Sequence, residues 1–382
     1  MAKRIYLDYA SLTPIDPRVI REMKRYSSSA FANPSSLYKE GVSAKKALEE
    51  GRKKVADFIH AHSDEIVFTS GGTESNALAL EGAGRAARHS GIERPHLIIS
   101  SVEHSSIIEV ADMLEKHGCE VTRLAVDHSG TISLDELKRS IKPNTFMVSI
   151  MAVNNEVGTI QPIREIAKVV RQSRSVNSRY PLFHTDAAQA LFEDIDMEKA
   201  GIDLLTMDSS KVYGPRGMGA LYVKRGTPIE PIIYGGGQEM GMRSGTENMP
   251  GIMGFAKALE IAGMEKGKGK KGETAELKEL LIQGLKEVRS DVSVNGGNGN
   301  VSPHILNVSI PGIDNEFFVL RLDARGIACS MKSSCLRDED ESYVLKAIGA
   351  DSKTSVRFSF GRWTKRGDIR AALSSIREIL EK

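Results

Sequence analysis

Apolar residues along this chain gather in short unbroken runs rather than alternating with polar ones. Glu65–Thr69, Leu97–Ser100, Val121–Val126, Phe146–Val153 and Leu182–Thr185 are β-branched or apolar, and a helical stretch such as Ile163 to Val176 separates each from the next. Continuous apolar strands separated by helices predict a mostly parallel sheet covered on both faces. Two more runs flank Lys211 in DLLTMDSSKVYGPRGMGALYV, Asp203 to Val223. They bring the expected sheet to about seven strands in one large α/β domain. Upstream, the pattern predicts a short strand at Ile5 to Leu7, a helix capped by Asp16, a loop at Phe31 to Gly41 and a helix over Ser43 to Ile59.

The pattern changes near residue 265, where EKGKGKKGE (Glu265 to Glu273) interrupts it with charge and glycine. Beyond it come a helix at Ala275 to Val288, strands at Val292–Val294, His304–Ile310 and Ser355–Phe360, a helix from Glu316 and a final helix. This is a smaller α+β unit. The expected division is a large domain over 15–262 and a small one built from 1–14 and 263–382.

Composition narrows the function classes. The 382 residues are 40% apolar and 27% charged with a net charge of +2, which suits two ordinary globular domains and favours neither nucleic acid nor an anionic membrane. No apolar run approaches the roughly 20 residues of a membrane span, and MAKRIYLDYASLTP lacks the features of a signal peptide. The three cysteines form no CxxC pair and no disulfide framework, so a reducing cytoplasm is expected and no metal site is.

Four features fall at the ends of predicted parallel strands, where open α/β sheets bind ligands. FTSGGTESN, Phe68 to Asn76, runs from a strand through two glycines into a helix that Thr73 opens and that extends over Ala77 to Arg88. Its free N–H groups favour a phosphate, although a capping box of Thr73 and Asn76 reads equally well. His104 is placed to act as a base, to stack on a flat ligand, or to be satisfied within its loop. Asp186, with Gln189 one turn on, follows an apolar strand and needs a positive or donating partner, or else caps a short helix. Lys211 is a surface lysine of a Gly-rich turn or an amine for Schiff-base chemistry. A phosphate nest, a stacking ring, an acid for a pyridinium and an amine for an aldehyde together describe a site for pyridoxal 5'-phosphate.

The small domain adds a thiol and a cation. RGIACSMKSSC, Arg325 to Cys335, is a strand opening into a Ser-rich loop, with Cys335 in the loop and Cys329 in the strand. A nucleophilic thiol must be reachable and must ionise, which favours Cys335 and leaves Cys329 a core residue. Arg357 is placed either to clamp a substrate carboxylate or to pair with an internal acid.

YLDYASLTPIDPRV, NPSS, FTSGGTESN, VEH, VNNEVGTIQPI, HTDAAQA, SKVYGPRGMGALYV, GGGQEMGMRSGTEN, GIACSMKSSC and SVRFSFGR resemble, in order and along nearly the whole chain, the cysteine desulfurases of the NifS/IscS type. The resemblance implies a fold-type I pyridoxal phosphate enzyme, homodimeric with composite sites, that converts L-cysteine to L-alanine and leaves a persulfide on the enzyme. The sulfur would serve iron–sulfur cluster assembly or tRNA thiolation, through an acceptor or scaffold protein. It implies Lys211 as the cofactor's covalent anchor, Asp186 against the pyridinium, Gln189 at the ring hydroxyl, His104 stacked on the ring and Asn155 facing cofactor and substrate. Gly72 and Thr73 would hold the phosphate, with Thr246 reaching in from the other subunit. Arg357 would bind the substrate carboxylate and Cys335 would attack its sulfur.

This chain departs from the family beside the lysine. A hydroxyl residue three positions before it and a histidine immediately before it become Asp208 and Ser210. Ser210 still offers a donor, whereas an ionised Asp208 only accepts and would repel a phosphate unless its side chain turns away or other donors rebuild the cup. Lys332 also replaces a loop glycine and would favour the Cys335 thiolate. A selenocysteine lyase, another enzyme of the same cofactor, and a catalytically impaired scaffold that docks sulfur acceptors are the alternative readings.

Overall fold

A computed structural model describes residues 4–176, 178–192, 200–266, 270–297, 300–331 and 341–381. Its strands are β1 (Ile5–Tyr6), β2 (Ile66–Thr69), β3 (His96–Ser100), β4 (Glu120–Leu124), β5 (Thr145–Ser149), β6 (Leu182–Asp186), β7 (Leu204–Asp208), β8 (Gly219–Val223), β9 (Ser293–Asn295), β10 (Ile305–Ser309), β11 (Ile327–Ala328) and β12 (Ser355–Ser359). The helices between the early strands are α1 (Pro17–Ser28), α2 (Lys39–Phe58), α3 (Gly72–Ala77), α4 (Ala83–His89), α5 (Ser105–Lys116), α6 (Leu134–Ser140) and α7 (Ile163–Gln172). Then follow α8 (Met249–Lys266), α9 (Lys270–Val288), α10 (Asn315–Ala324), α11 (Tyr343–Ala347) and α12 (Arg366–Leu380).

Seven strands form the large sheet in the order β2-β8-β7-β6-β5-β3-β4. β8 runs antiparallel to both neighbours and the other pairings are parallel. The unbroken apolar runs have the cause expected of them, because both faces are covered. Ile98, Val148, Phe183 and Leu205 pack on one side with residues of α1, α2 and α8, while Leu97, Ile99, Met147, Leu182 and Leu204 pack on the other with α4 and α5. Each such side chain contributes about 1.5–3 kcal/mol when fully buried.

The second sheet is antiparallel, in the order β12-β10-β9. Its core joins Leu306, Val308, Val356 and Phe358 to Leu281 of α9 and Ile376 of α12, and it also takes Leu7, directly after β1. β1 pairs in parallel with β11, so the N-terminal segment packs with the C-terminal third. Among the described residues no helix is long and apolar enough to cross a membrane.

Boundaries differ where a local signal is missing. α2 begins at Lys39 rather than Ser43, on an N-cap Tyr38 that makes no side-chain bond. β5 ends at Ser149 rather than continuing to Val153, because Met151 turns its N–H to the Glu103 carboxylate instead of a neighbouring strand. The helix after the glycine turn starts at Gly72 and passes through a π turn, Leu78–Gly82, before α4.

Candidate active site

Parallel strands β2, β3, β5, β6 and β7 end along one edge of the sheet, at Thr69, Ser100, Ser149, Asp186 and Asp208. A cavity of about 170 Å³ opens there, and Gly72, Thr73, His104, Asn155, Asp186, Gln189, Lys211 and Arg357 all line it. Eight of the residues expected from sequence therefore converge on one space.

The glycine turn has a steric origin. Gly71 holds φ 149°, a conformation that side chains rarely adopt, and a Cβ on Gly219 of β8 would lie 2.7 Å from the Gly71 backbone. The turn lies against β8, and Gly72 and Thr73 at the start of α3 line the cavity. Gly71 is the helix cap and contributes no side-chain bond, so the alternative reading of a capping box of Thr73 and Asn76 does not hold.

Asn76 instead reaches inward. Its Nδ2 donates to Asp186 Oδ2 at 2.8 Å and to Ser106 Oγ at 2.9 Å. The amide orientation follows, since the flipped form would set its carbonyl against a carboxylate. Asp186 accepts a second bond from the Ala188 N–H at 2.9 Å, which holds an acid that is only 7% exposed. A buried carboxylate with two donors and one face on a cavity suits a cationic ring N–H. His104 caps α5, its Nδ1 accepting from the Ser106 N–H at 3.2 Å and lying 2.8 Å from Ser106 Oγ. This places the ring proton on Nε2.

Lys211 lies on the short turn after β7. Its Nζ donates to the carbonyls of Ala10 at 3.2 Å and Ser11 at 2.5 Å, and Gln189 Nε2 donates to the same Ala10 carbonyl at 2.8 Å. The N-terminal segment thus sets both side chains. Arg357 is 1% exposed. Its Nη1 donates to the Asn155 carbonyl at 2.8 Å, and its Nη2 to Asp8 Oδ1 at 2.9 Å and Ser11 Oγ at 3.2 Å. The internal acid is real, and the guanidinium lines the cavity as well; its Nε is buried without a hydrogen-bond partner among the described residues.

Beneath the cavity floor, Glu103 is fully buried and accepts from the Ser100 hydroxyl and the Met151 N–H. Burial, and then the nearby Asp186 charge, push its carboxyl up to about 8. Burial alone drives His184, beneath Asp186, down to about 3, so it is a neutral hydrogen-bonding ring between Ser149 and Thr206.

Asp208 does not turn away from the cup. Its Oδ1 accepts from the Ser210 N–H at 2.7 Å and its Oδ2 from the Gly72 N–H at 3.4 Å. Ser210 is absent from the cavity lining, and its carbonyl is taken by the Thr13 N–H and hydroxyl. Thr246 is exposed and lines a separate cleft with Ser70 and Arg243. Cys335 and Lys332 lie outside the described residues. Cys329, directly after β11, packs against the second core, and burial pushes its thiol up to about 12, as a core cysteine should.

Pattern reading missed Asn76 as a partner of Asp186, along with Ser106, Glu103, Asp8 and the carbonyls of Ala10 and Ser11. Only VEH and LDYAS carried a trace of them. For pyridoxal phosphate, the ring side fits: acid, flat ring, amide and amine are present and held. The phosphate side has its helix N–H groups, with one carboxylate among them.

The profile of the family described as Aminotransferase class-V matches residues 5–371. A cysteine desulfurase IscS of Dictyoglomus turgidum is 40% identical over 100% of this chain and 96% of its own length. A cysteine desulfurase IscS 1 of Archaeoglobus fulgidus is 39% identical over 99% of this chain and 97% of its own. Among solved structures, a NifS-like protein superposes with a TM-score of 0.91 at 33% identity, covering 99% of this chain and all of that one. A NifS-like protein from Rickettsia africae gives 0.87 at 29% identity, covering 100% of both chains. With the strand-end site and full-length similarity in agreement, the chain belongs to the class-V aminotransferase family, on its cysteine desulfurase branch of the IscS and NifS type.

Proposed function

We propose that this protein is a pyridoxal phosphate-dependent cysteine desulfurase that converts L-cysteine to L-alanine and retains the sulfur as a persulfide on Cys335. The observation that carries this reading is the meeting of Lys211, Asp186, His104 and Arg357 on one cavity at the strand ends.

Pyridoxal phosphate supplies an electron sink when bound. Lys211 is the amine for its covalent attachment, Asp186 would accept from the ring nitrogen, and His104 offers a flat ring. Gln189 and Asn155 offer amide contacts, and the start of α3 at Gly72 and Thr73 would face the phosphate, with the Gly72 N–H shared with Asp208. The Arg357 guanidinium takes the substrate carboxylate in a charge-assisted pair. The Cys335 thiolate attacks the substrate sulfur; its C–S bond breaks, an S–S bond forms, and the carbon that lost sulfur takes a proton. Thiol plus cysteine gives persulfide plus alanine, with no outside oxidant. A reducing, cytoplasmic setting suits this chemistry.

Two described anchors flank the Cys335 segment. Ser330 exchanges main-chain bonds with Arg357, at 3.1 and 2.6 Å. On the far side the Ser342 hydroxyl donates to Glu156 Oε2 at 2.6 Å, and the Tyr343 hydroxyl to the Glu103 carbonyl at 2.5 Å. Thr246, exposed and away from its own cavity, fits a homodimer in which each subunit completes the other's phosphate site. The relatives' names favour a sulfur acceptor such as an iron–sulfur scaffold protein as the downstream partner. The division into domains of 15–262 and 1–14 with 263–382 belongs to the same reading.

The test is a spectrum of the purified protein before and after L-cysteine, with alanine and sulfide measured. Alanine formation that is lost in Cys335→Ser supports the reading. Full activity in that variant refutes the nucleophile, and a protein that stays colourless with added cofactor refutes the enzyme.

A further inference from the structure

Asp208 occupies an unusual position for a residue beside an anion site. It ends β7, faces Gly219 across the β7–β8 pair, and lines the cavity. One carboxylate oxygen caps the turn that carries Lys211, through the Ser210 N–H, and the other takes the Gly72 N–H at the start of α3. A Cβ on Gly72 would lie 3.3 Å from Asp208 Oδ2, so the carboxylate stands directly over this helix start. The only other acid at the turn, Glu74, is neutralised by Arg243, with Nε to Oε1 at 2.9 Å. The cations of the cavity wall, Lys211 and Arg357, are held on the N-terminal segment, on Ala10, Ser11 and Asp8.

We infer that Asp208 is the residue that sets cofactor selectivity here: it spends the phosphate's donor on its own carboxylate and so lowers the preference for the phosphorylated over the unphosphorylated aldehyde. The inference rests on the cofactor reading above and concerns only the phosphate end. A phosphate arriving at Gly72 meets a like charge and competes for an N–H already in use. The ring end, held by Asp186, His104 and Lys211, is untouched by this competition. Asp208 also caps the lysine turn, a task that an uncharged acceptor performs equally well.

The test uses the full chain freed of cofactor, titrated by equilibrium dialysis with pyridoxal phosphate and, separately, with pyridoxal. Asp208→Asn keeps an oxygen for the Ser210 N–H and removes the charge. Its preference for the phosphorylated aldehyde should rise on the order of tenfold, as expected from deleting one like-charge contact at a half-buried site, with pyridoxal affinity unchanged. Asp208→Ser, which restores a hydroxyl, should move the ratio the same way and serves if the first variant does not fold. Borohydride fixation on Lys211 is read in parallel. A protein that fixes both aldehydes but shows an unchanged or lower ratio in the variants overturns this inference alone. A wild-type protein that fixes neither overturns the cofactor reading and this inference with it.

Discussion

Asn76 Nδ2 lies 2.8 Å from Asp186 Oδ2, tying the helix after the glycine turn to the end of β6 across 110 positions of sequence. The acid proposed to face the cofactor ring is therefore held by a residue of the helix proposed to meet the phosphate. Asn76→Ala leaves Asp186 with the Ala188 N–H alone, and a buried carboxylate that loses a donor is less stable by about 1–3 kcal/mol. Cofactor affinity measured by dialysis should fall on the order of tenfold. Asn76→Asp should be worse, because it sets two carboxylates against each other. An Asn76→Ala protein with unchanged affinity would remove Asn76 from the site.

Glu103 makes stability depend on pH in a defined direction. The folded protein holds its proton up to about 8, whereas the unfolded chain releases it near about 4.3. Between those values the folded state carries the extra proton, so raising the pH through that window lowers stability. Glu103→Gln should flatten this part of the profile, as read from urea midpoints at several pH values. An unaltered slope would show that Glu103 titrates normally.

Gly219 is where strand and turn touch. A methyl group there would lie 2.7 Å from the Gly71 backbone and from the Met207 carbonyl. Gly219→Ala should cost about 1–3 kcal/mol through overpacking and should weaken the phosphate end by pushing the glycine turn outward. Thermal unfolding and the dialysis measurement check the two effects. Normal affinity in a destabilised protein would separate the turn from the cup.

Ser342 both caps α11, by accepting from the Leu345 N–H at 3.1 Å, and reaches the buried Glu156. Removing the hydroxyl in Ser342→Ala costs the cap, about 0.5–2 kcal/mol. It should lower turnover while leaving cofactor affinity intact, because Ser342 follows the Cys335 segment and does not line the cavity. Weakened cofactor binding would count against this separation.

The sheet was legible because covering both faces leaves a mark on consecutive residues. Leu97 and Ile98 point to opposite cores, and both must be apolar. That Asp186, His104 and Lys211 line the cavity was legible for a related reason: a polar residue shortly after such a run stands near a strand end. Asn76 was not, since its i+3 spacing from Thr73 satisfies a helix-start pattern equally well and only the tertiary fold shows its reach to Asp186. Arg357 was legible as either of two things and is engaged with Asp8 while lining the cavity. The Asp208 substitution was legible as a conflict of charge, but its direction was not. Whether a side chain turns toward or away from a helix start depends on the pairing of β7 with β8, which no local pattern encodes.

β8 returns beside β7 as a hairpin, so the turn bearing Lys211 closes within a short stretch of chain. The carbonyls that hold the lysine are remote: Ala10 lies 201 positions away and Ser11 lies 200. The cavity wall spans further still, since Arg357 reaches Asp8 across 349 positions. Loop closure of that span comes late because its entropy must be met before any contact repays it. During synthesis the lysine turn can therefore form early, while the cavity wall stays open until β12 has left the ribosome and joined the N-terminal segment. A ribosome-bound chain ending before β12 can offer an aldehyde an amine, but not the complete site.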